Sequence, residues 1–197
     1  MACYNIIKVG AAGSISCQDE CWDEKCHCEL SEIYISHGDG IQSIQFQYVV
    51  NGNLEMSDLH GECKGPKFNL IRLNYPCEFV TGISGDCLPN QKLSSLKITT
   101  NKRSYGPFGR PTFAHQFDFQ FGNSRQFGGF YGYCDKTTNK RVTALGVYFK
   151  VATKLEVTTG DCISVVTTRD CIPVERSCRE DDSCTCNDPC TGRRRRN

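Results

Sequence analysis

Apolar side chains in this chain recur at every second position, not at every third or fourth. Ile33 and Ile35, then Ile44, Phe46 and Tyr48, then Phe117, Phe119 and Phe121, then Leu145, Val147 and Phe149 each place apolar residues on one face of an extended segment. The spacing predicts a β-strand at each run, with Gly, Pro and Asn marking the breaks between them. Asn51-Gly52 comes after one run, and this dipeptide suits a two-residue hairpin because both turn positions need positive φ. No helical pattern of convincing length occurs. Short strands with close punctuation predict an all-β sandwich, barrel or prism, and the pattern alone leaves these three open.

The pattern stops near residue 150. Every Phe, Tyr and Trp lies at or before Phe149, so the remainder of the chain has no aromatic residue with which to build a core. The chain therefore divides into a domain over residues 1–152 and a cysteine-rich extension over 153–197. The extension ends in Arg193 to Arg196 and is expected to be loop-rich or disordered, with Val157 to Thr168 rich enough in Val, Ile and Thr for a short strand. Four arginines at a chain end are read as a solvated tail.

Composition narrows the function classes. With 197 residues and a formal net charge of +1, the chain has no global field drawing it to nucleic acid. No apolar run approaches the roughly 18 to 20 residues that cross a bilayer, so membrane insertion is not expected. Met1 to Asn5 lacks the basic and apolar segments of a secretory signal, and no Asn-x-Ser/Thr acceptor occurs. These features predict a cytoplasmic or nucleocytoplasmic protein, or a secreted one if a signal segment precedes the sequence. The 15 cysteines pull toward an oxidising compartment, and their odd number leaves at least one without an internal partner.

Cys17, Cys21, Cys26 and Cys28 surround His27, and Cys184, Cys186 and Cys190 lie close together. Neither group has the paired Cys-x-x-Cys spacing of a structural zinc site, so disulfides or free thiols are expected and no metal or other cofactor is predicted. Cysteine-rich sequence in both places also suggests that the extension is clipped to the first loop by a disulfide. No nucleophile elbow, metalloprotease motif or phosphate loop occurs, and the four histidines pair with no nucleophile in any motif. The chain is not expected to be an enzyme.

Several segments together carry a family resemblance: Lys8-Val-Gly10, Ile33-Tyr-Ile-Ser-His-Gly-Asp39, Ser43-Ile-Gln-Phe46, His60-Gly61, Ser84-Gly85, Asn101 to Gly109, Gly129-Phe-Tyr-Gly132 and Ala144-Leu-Gly-Val-Tyr148. In this order, over roughly residues 4 to 150, the chain resembles the jacalin-related plant lectins of mannose-binding type. The resemblance implies a β-prism of three four-stranded Greek-key sheets that holds sugars in loops at one end. The implied partners are glycans or glycoproteins, and a homo-oligomer associated through exposed strands is compatible with the fold. Asn101 to Gly109 is read within the family as a strand and turn, although Lys102 and Arg103 adjoin Tyr105 and Phe108.

A sugar's hydroxyls require a carboxylate that accepts and backbone N–H groups that donate, held on stiff loops. In the mannose-binding relatives a glycine-rich first loop and a Gly-x-x-x-Asp element before the last strand supply these. Here the resemblance assigns the first loop to Gly13 and Ser14, and the second to the segment containing Asp135, Lys140, Arg141 and Thr143. Thr143 stands where the family has its Asp, and Asn139 where it has its Gly, so Asp135 is the substitute acceptor. A second candidate site comprises Gly38, Asp39, Gln42 and Gly61, with Gln42 in place of a closing Asp. Asp39-Gly40 is also a favoured turn sequence. The expected function is a lectin for mannose- or glucose-type glycans with an altered primary site. The alternative is a defence or protein-interaction protein that binds no sugar, keeps the prism as scaffold and uses the extension as its functional part.

Overall fold

The computed structural model describes residues 5–25, 27, 29–88, 92–136 and 140–151. The domain boundary at 152, the extension, Cys3, Cys26, Cys28 and Asn139 lie outside the described residues, and so does the suggested clip to the first loop. Thirteen strands and no helix occur among the described residues. The first sheet runs β1 (Ile6–Gly13), β13 (Val142–Lys150), β12 (Phe127–Cys134), β2 (Glu20–Asp23). The second runs β5 (Asn53–Met56), β4 (Ile41–Val50), β3 (Leu30–His37), β7 (Lys67–Arg72), and the third β10 (Ser104–Gly109), β9 (Leu93–Thr100), β8 (Val80–Cys87), β11 (His115–Gln120). Every pairing is antiparallel. The expectation of three four-stranded sheets needs one amendment. The short strand β6 (His60–Gly61) pairs with β4 at Ser43 and Ile44 and gives the second sheet a fifth member.

The three sheets face one core. Ile33 and Ile35 of β3, Ile44 and Phe46 of β4, Ile83 of β8, Leu96 and Ile98 of β9, Phe130 of β12, and Leu145 and Val147 of β13 are almost wholly withdrawn from solvent. Burying one such side chain contributes about 1.5 to 3 kcal/mol. Phe46 stacks on Phe130 with ring centroids 4.7 Å apart, joining the second sheet to the first. The alternation read in β3 and β4 is the alternation of their burial. In the third aromatic run only Phe121, just beyond β11, reaches full burial, while Phe117 and Phe119 are half-buried. Asn51 (φ 52°) and Gly52 (φ 82°) form the hairpin between β4 and β5.

Two histidines tie the sheets together. His37, on β3, accepts the Gly109 N–H of β10 at Nδ1 (3.0 Å), so its Nε2 carries the proton given to Asn69 Oδ1 of β7 (2.7 Å). His60 of β6 meets the buried Glu24 Oε1 at 2.7 Å through Nε2 and stacks on Trp22 of β2 at 3.9 Å. Six cysteines among the described residues are unbridged thiols: Cys17, Cys21, Cys63 and Cys77 are exposed, Cys87 and Cys134 buried. No group of three or more His, Cys, Asp or Glu side chains in metal-holding geometry occurs among the described residues.

Candidate functional site at the prism apex

Register places the ends of the strands, and with them the loops. Gly13 pairs with Ala144 and Cys134 with Glu20, so loops 14–19 and 135–141 leave the same end of the first sheet. His37 pairs with both Ile41 and Lys67, and Cys87 with both Leu93 and His115. Loops 38–40 and 62–66 of the second sheet, and 88–92 and 110–114 of the third, therefore share an end as well. Contacts of Lys92 and Arg141 bring the three groups of loops together as one apex.

The first-sheet loops are locked to one another. Gly13 (φ 130°) packs so closely that a Cβ there would stand 2.6 Å from the Ala144 Cα. The Ser14 N–H donates to the Thr143 carbonyl at 3.2 Å. Thr143 is buried, and its hydroxyl donates to Asp19 Oδ2 at 3.0 Å; the same oxygen accepts the Ser16 N–H at 3.0 Å. A carboxylate thus stands beside the position where the family's Asp is replaced, but it is engaged in holding its own loop. Asp19 escaped the sequence reading, and Ser16 three residues before it was the available signal of a local side-chain-to-backbone turn.

Asp135 is also occupied. Its carboxylate forms an ion pair with Lys92 of the third-sheet loop, and its N–H donates to the Arg141 carbonyl at 3.0 Å. An ammonium thus already engages one oxygen of the carboxylate that the resemblance offers as the substitute acceptor. Lys140 adopts a positive φ of 30° and turns its carbonyl toward Gly61, while the Arg141 guanidinium fills the space that a side chain on Gly40 would need. Residues 140 and 141 therefore also pack against the second candidate set.

In that second set, Gly38 donates its N–H to the Gly40 carbonyl at 3.0 Å, which shapes the turn and projects Asp39 outward. Asp39 is exposed and has no ionic or hydrogen-bond partner among the described residues. Gly61 (φ 91°) presses against the Gln42 carbonyl, which accepts the Glu62 N–H at 3.3 Å. Asp39 opens onto a cleft of 690 Å³ lined also by Leu88, Lys92, Ser94, Arg110, Pro111, Thr112 and Arg141. A shallower depression of 560 Å³ beside it includes Gly13, Ser14, Ile15, Leu88 and His115. Of the residues singled out from sequence, the structure brings Asp39 and Arg141 to one cleft and leaves Thr143 and Asp135 tied to loop partners.

Next to Thr112 stands Phe113, 77% exposed and at φ 57°. A bulky residue with positive φ is an outlier that its surroundings must hold. Here the buried Asp86 does so, accepting the Phe113 N–H at 3.1 Å with one oxygen and the Ser95 hydroxyl at 2.6 Å with the other. An exposed aromatic held on a fixed loop offers an apolar face of the kind on which a sugar ring packs. Lys92, Arg110, Thr112 and Phe113 were missed from sequence, since nothing local tells that their two loops meet Asp39.

The profile described as "Jacalin-like lectin domain" matches residues 9–148. Protein RESTRICTED TEV MOVEMENT 1 of Arabidopsis thaliana is 44% identical over 148 residues, covering 71% of this chain and 83% of that protein. Jacalin-related lectin 2 of the same plant is 41% identical over 125 residues, covering 56% of this chain and 68% of the relative. Among solved structures, the mannose-binding lectin from Champedak superposes with a TM-score of 0.64 at 29% identity, covering 77% of this chain and 100% of that one. A mannose-specific jacalin-related lectin from Morus nigra in complex with mannose gives a TM-score of 0.63 at 26% identity, over 77% and 98% of the two chains.

Proposed function

The chain belongs to the jacalin-like lectin family, and we propose that it is a lectin for mannose- or glucose-type glycans that binds them at the second-sheet loops, with Asp39 as the hydroxyl acceptor. One observation carries this reading: of the two carboxylates proposed as acceptors, Asp39 is unpartnered among the described residues, while Asp135 is held by Lys92. A lectin site needs an acceptor whose lone pairs are not already engaged, on a backbone that is fixed in advance. Asp39 meets both conditions, set in a turn closed by Gly38 and Gly40 and bordered by Gln42 and Gly61. The mannose specificity of the superposable lectins supports the choice of sugar class.

In this reading Gly13, Ser14 and Thr143 keep a structural part in the first-sheet loops, and Lys140 and Arg141 serve the second site. A glycan array probed with the whole chain, with and without reductant, tests it. Binding concentrated on mannose- or glucose-terminated glycans is the expected result, and an array blank in both conditions would refute it.

A second reading has its own support. A relative 44% identical to this chain is named for restricted movement and not for a sugar, and the acceptor position of the first-sheet site has lost its carboxylate. Under that reading the prism is a scaffold for protein contacts, which the blank array would favour.

A further inference from the structure

The apical cleft carries more cationic hydrogen-bonding capacity than a neutral sugar uses. Lys92 is balanced by Asp135, but Arg110 and Arg141 line the cleft with no carboxylate partner among the described residues. Among the described residues, the only acidic side chain in its lining is Asp39. Arg141 is placed firmly, its guanidinium wedged over Gly40, the residue that follows Asp39 in the turn. Its Nε is withdrawn from solvent, and neither it nor the Thr112 hydroxyl in the same lining has a hydrogen-bond partner among the described residues. With no carboxylate among the described residues to meet them, the guanidinium groups of Arg110 and Arg141 are complemented most simply by an oxyanion that a ligand brings.

We infer that the cleft takes a glycan bearing an oxyanion, a uronate carboxylate or a sulfate ester. The hydroxyls of one sugar unit meet Asp39, and the oxyanion meets the guanidinium groups of Arg141 and Arg110. The inference rests on the placement of sugar at Asp39 proposed above and adds the charge of the ligand. A planar guanidinium offers paired N–H donors that match the two oxygens of a carboxylate or two of a sulfate, and such charge-assisted bonds are about twice as strong as neutral ones. Asp39 sets the polarity within the cleft, since it repels the oxyanion and accepts hydroxyls, so the ligand binds in one direction. It also disfavours a uniformly anionic strand, which would have to lay a charge against that carboxylate. The cleft volume of 690 Å³ falls in the range of about 300 to 1,000 Å³ common to small-ligand sites.

The experiment is titration calorimetry of the full chain with four probes: mannotriose, a mannuronate trimer, the methyl ester of that trimer, and mannotriose carrying a sulfate ester. The mannuronate trimer is expected to bind at least tenfold tighter than its methyl ester at low salt, with the advantage shrinking as salt rises. Tighter binding of the sulfated trimer alone would assign the oxyanion to sulfate. Arg110→Ala, at an exposed position, is expected to reduce the advantage while leaving mannotriose affinity within about twofold, and Arg141→Lys, which keeps the charge but loses the planar fork, is expected to reduce the advantage as well. Equal affinity for acid, ester and sulfate in the unaltered chain, with mannotriose still bound, would overturn this inference and leave the lectin reading standing. No binding of any probe would overturn both.

Discussion

Lys92, on the loop between β8 and β9, forms an ion pair with Asp135, on the loop that leaves β12, and the pair fastens the third sheet to the first at the apex. Both side chains are largely shielded from water, at 30% and 12% exposure. That contact takes from the lectin-type loop the carboxylate it was expected to offer.

Replacing Lys92 by Ala is expected to cost about 1 kcal/mol, the upper range for a partly exposed pair. In a domain of this size that lowers the melting temperature by roughly 2 to 4 °C. Calorimetric melting of the variant checks it, and an unchanged midpoint would mean that the pair holds nothing together.

His60→Ala is expected to be more damaging. It leaves the buried Glu24 carboxylate without its 2.7 Å partner and removes the ring stacked on Trp22. Losing one partner of a buried charged contact costs about 3 kcal/mol. Urea unfolding of the variant beside the parent chain measures the difference.

Much of the fold was legible in the sequence, and the reason differs from place to place. Ile33, Ile35, Ile44 and Phe46 alternate because one face of β3 and β4 packs on the core and the other does not. Strand β12 was invisible to that test because all eight of its residues are buried. Its glycines let neighbouring rings come close, Trp22 over Gly132, and its own Tyr131 lies over Gly146 of β13. Asp39 was legible as a turn residue with a candidate role. Its cleft neighbours Lys92, Arg110 and Thr112 were not, because they reach it only through the closure of three sheets around one axis. The partner of Asp135 was hidden for the same reason, since Lys92 lies 43 residues away.

Acid should weaken the fold through Glu78. Burial pushes this carboxyl up, but the Asn74 N–H, the Thr100 and Tyr105 hydroxyls and the charge of Arg103 outweigh it and hold the group below its ordinary value of 4.5. A folded value below the unfolded one means that the stabilisation is complete above about pH 4.5 and is lost as pH falls through the folded value. Glu78→Gln should lower stability at pH 7 by about 2 kcal/mol, and the gap to the parent should close in acid. Denaturant titrations between pH 3 and 7 track both chains.

Thiol reactivity should split by burial. Burial, with the charge of Asp86, pushes the Cys87 thiol up to about 11, and burial, with Glu20 and Asp19 nearby, pushes Cys134 up to about 12. Since the thiolate is the reactive form, neither should be alkylated in the folded chain at pH 8, while the exposed Cys17, Cys21, Cys63 and Cys77 should be. Iodoacetamide labelling read by peptide mass spectrometry tests this, with full labelling in denaturant as the control.

Whether Asp39 or Asp135 accepts the sugar is tested most directly by calorimetric titration of mannotriose into the parent chain, Asp39→Ala and Asp135→Ala, each first shown to be folded by its melting transition. With Asp39 as the acceptor, Asp39→Ala weakens binding by at least tenfold, while Asp135→Ala stays within about twofold of the parent. Binding that survives Asp39→Ala and disappears with Asp135→Ala would contradict that assignment and return the sugar to the first-sheet loops.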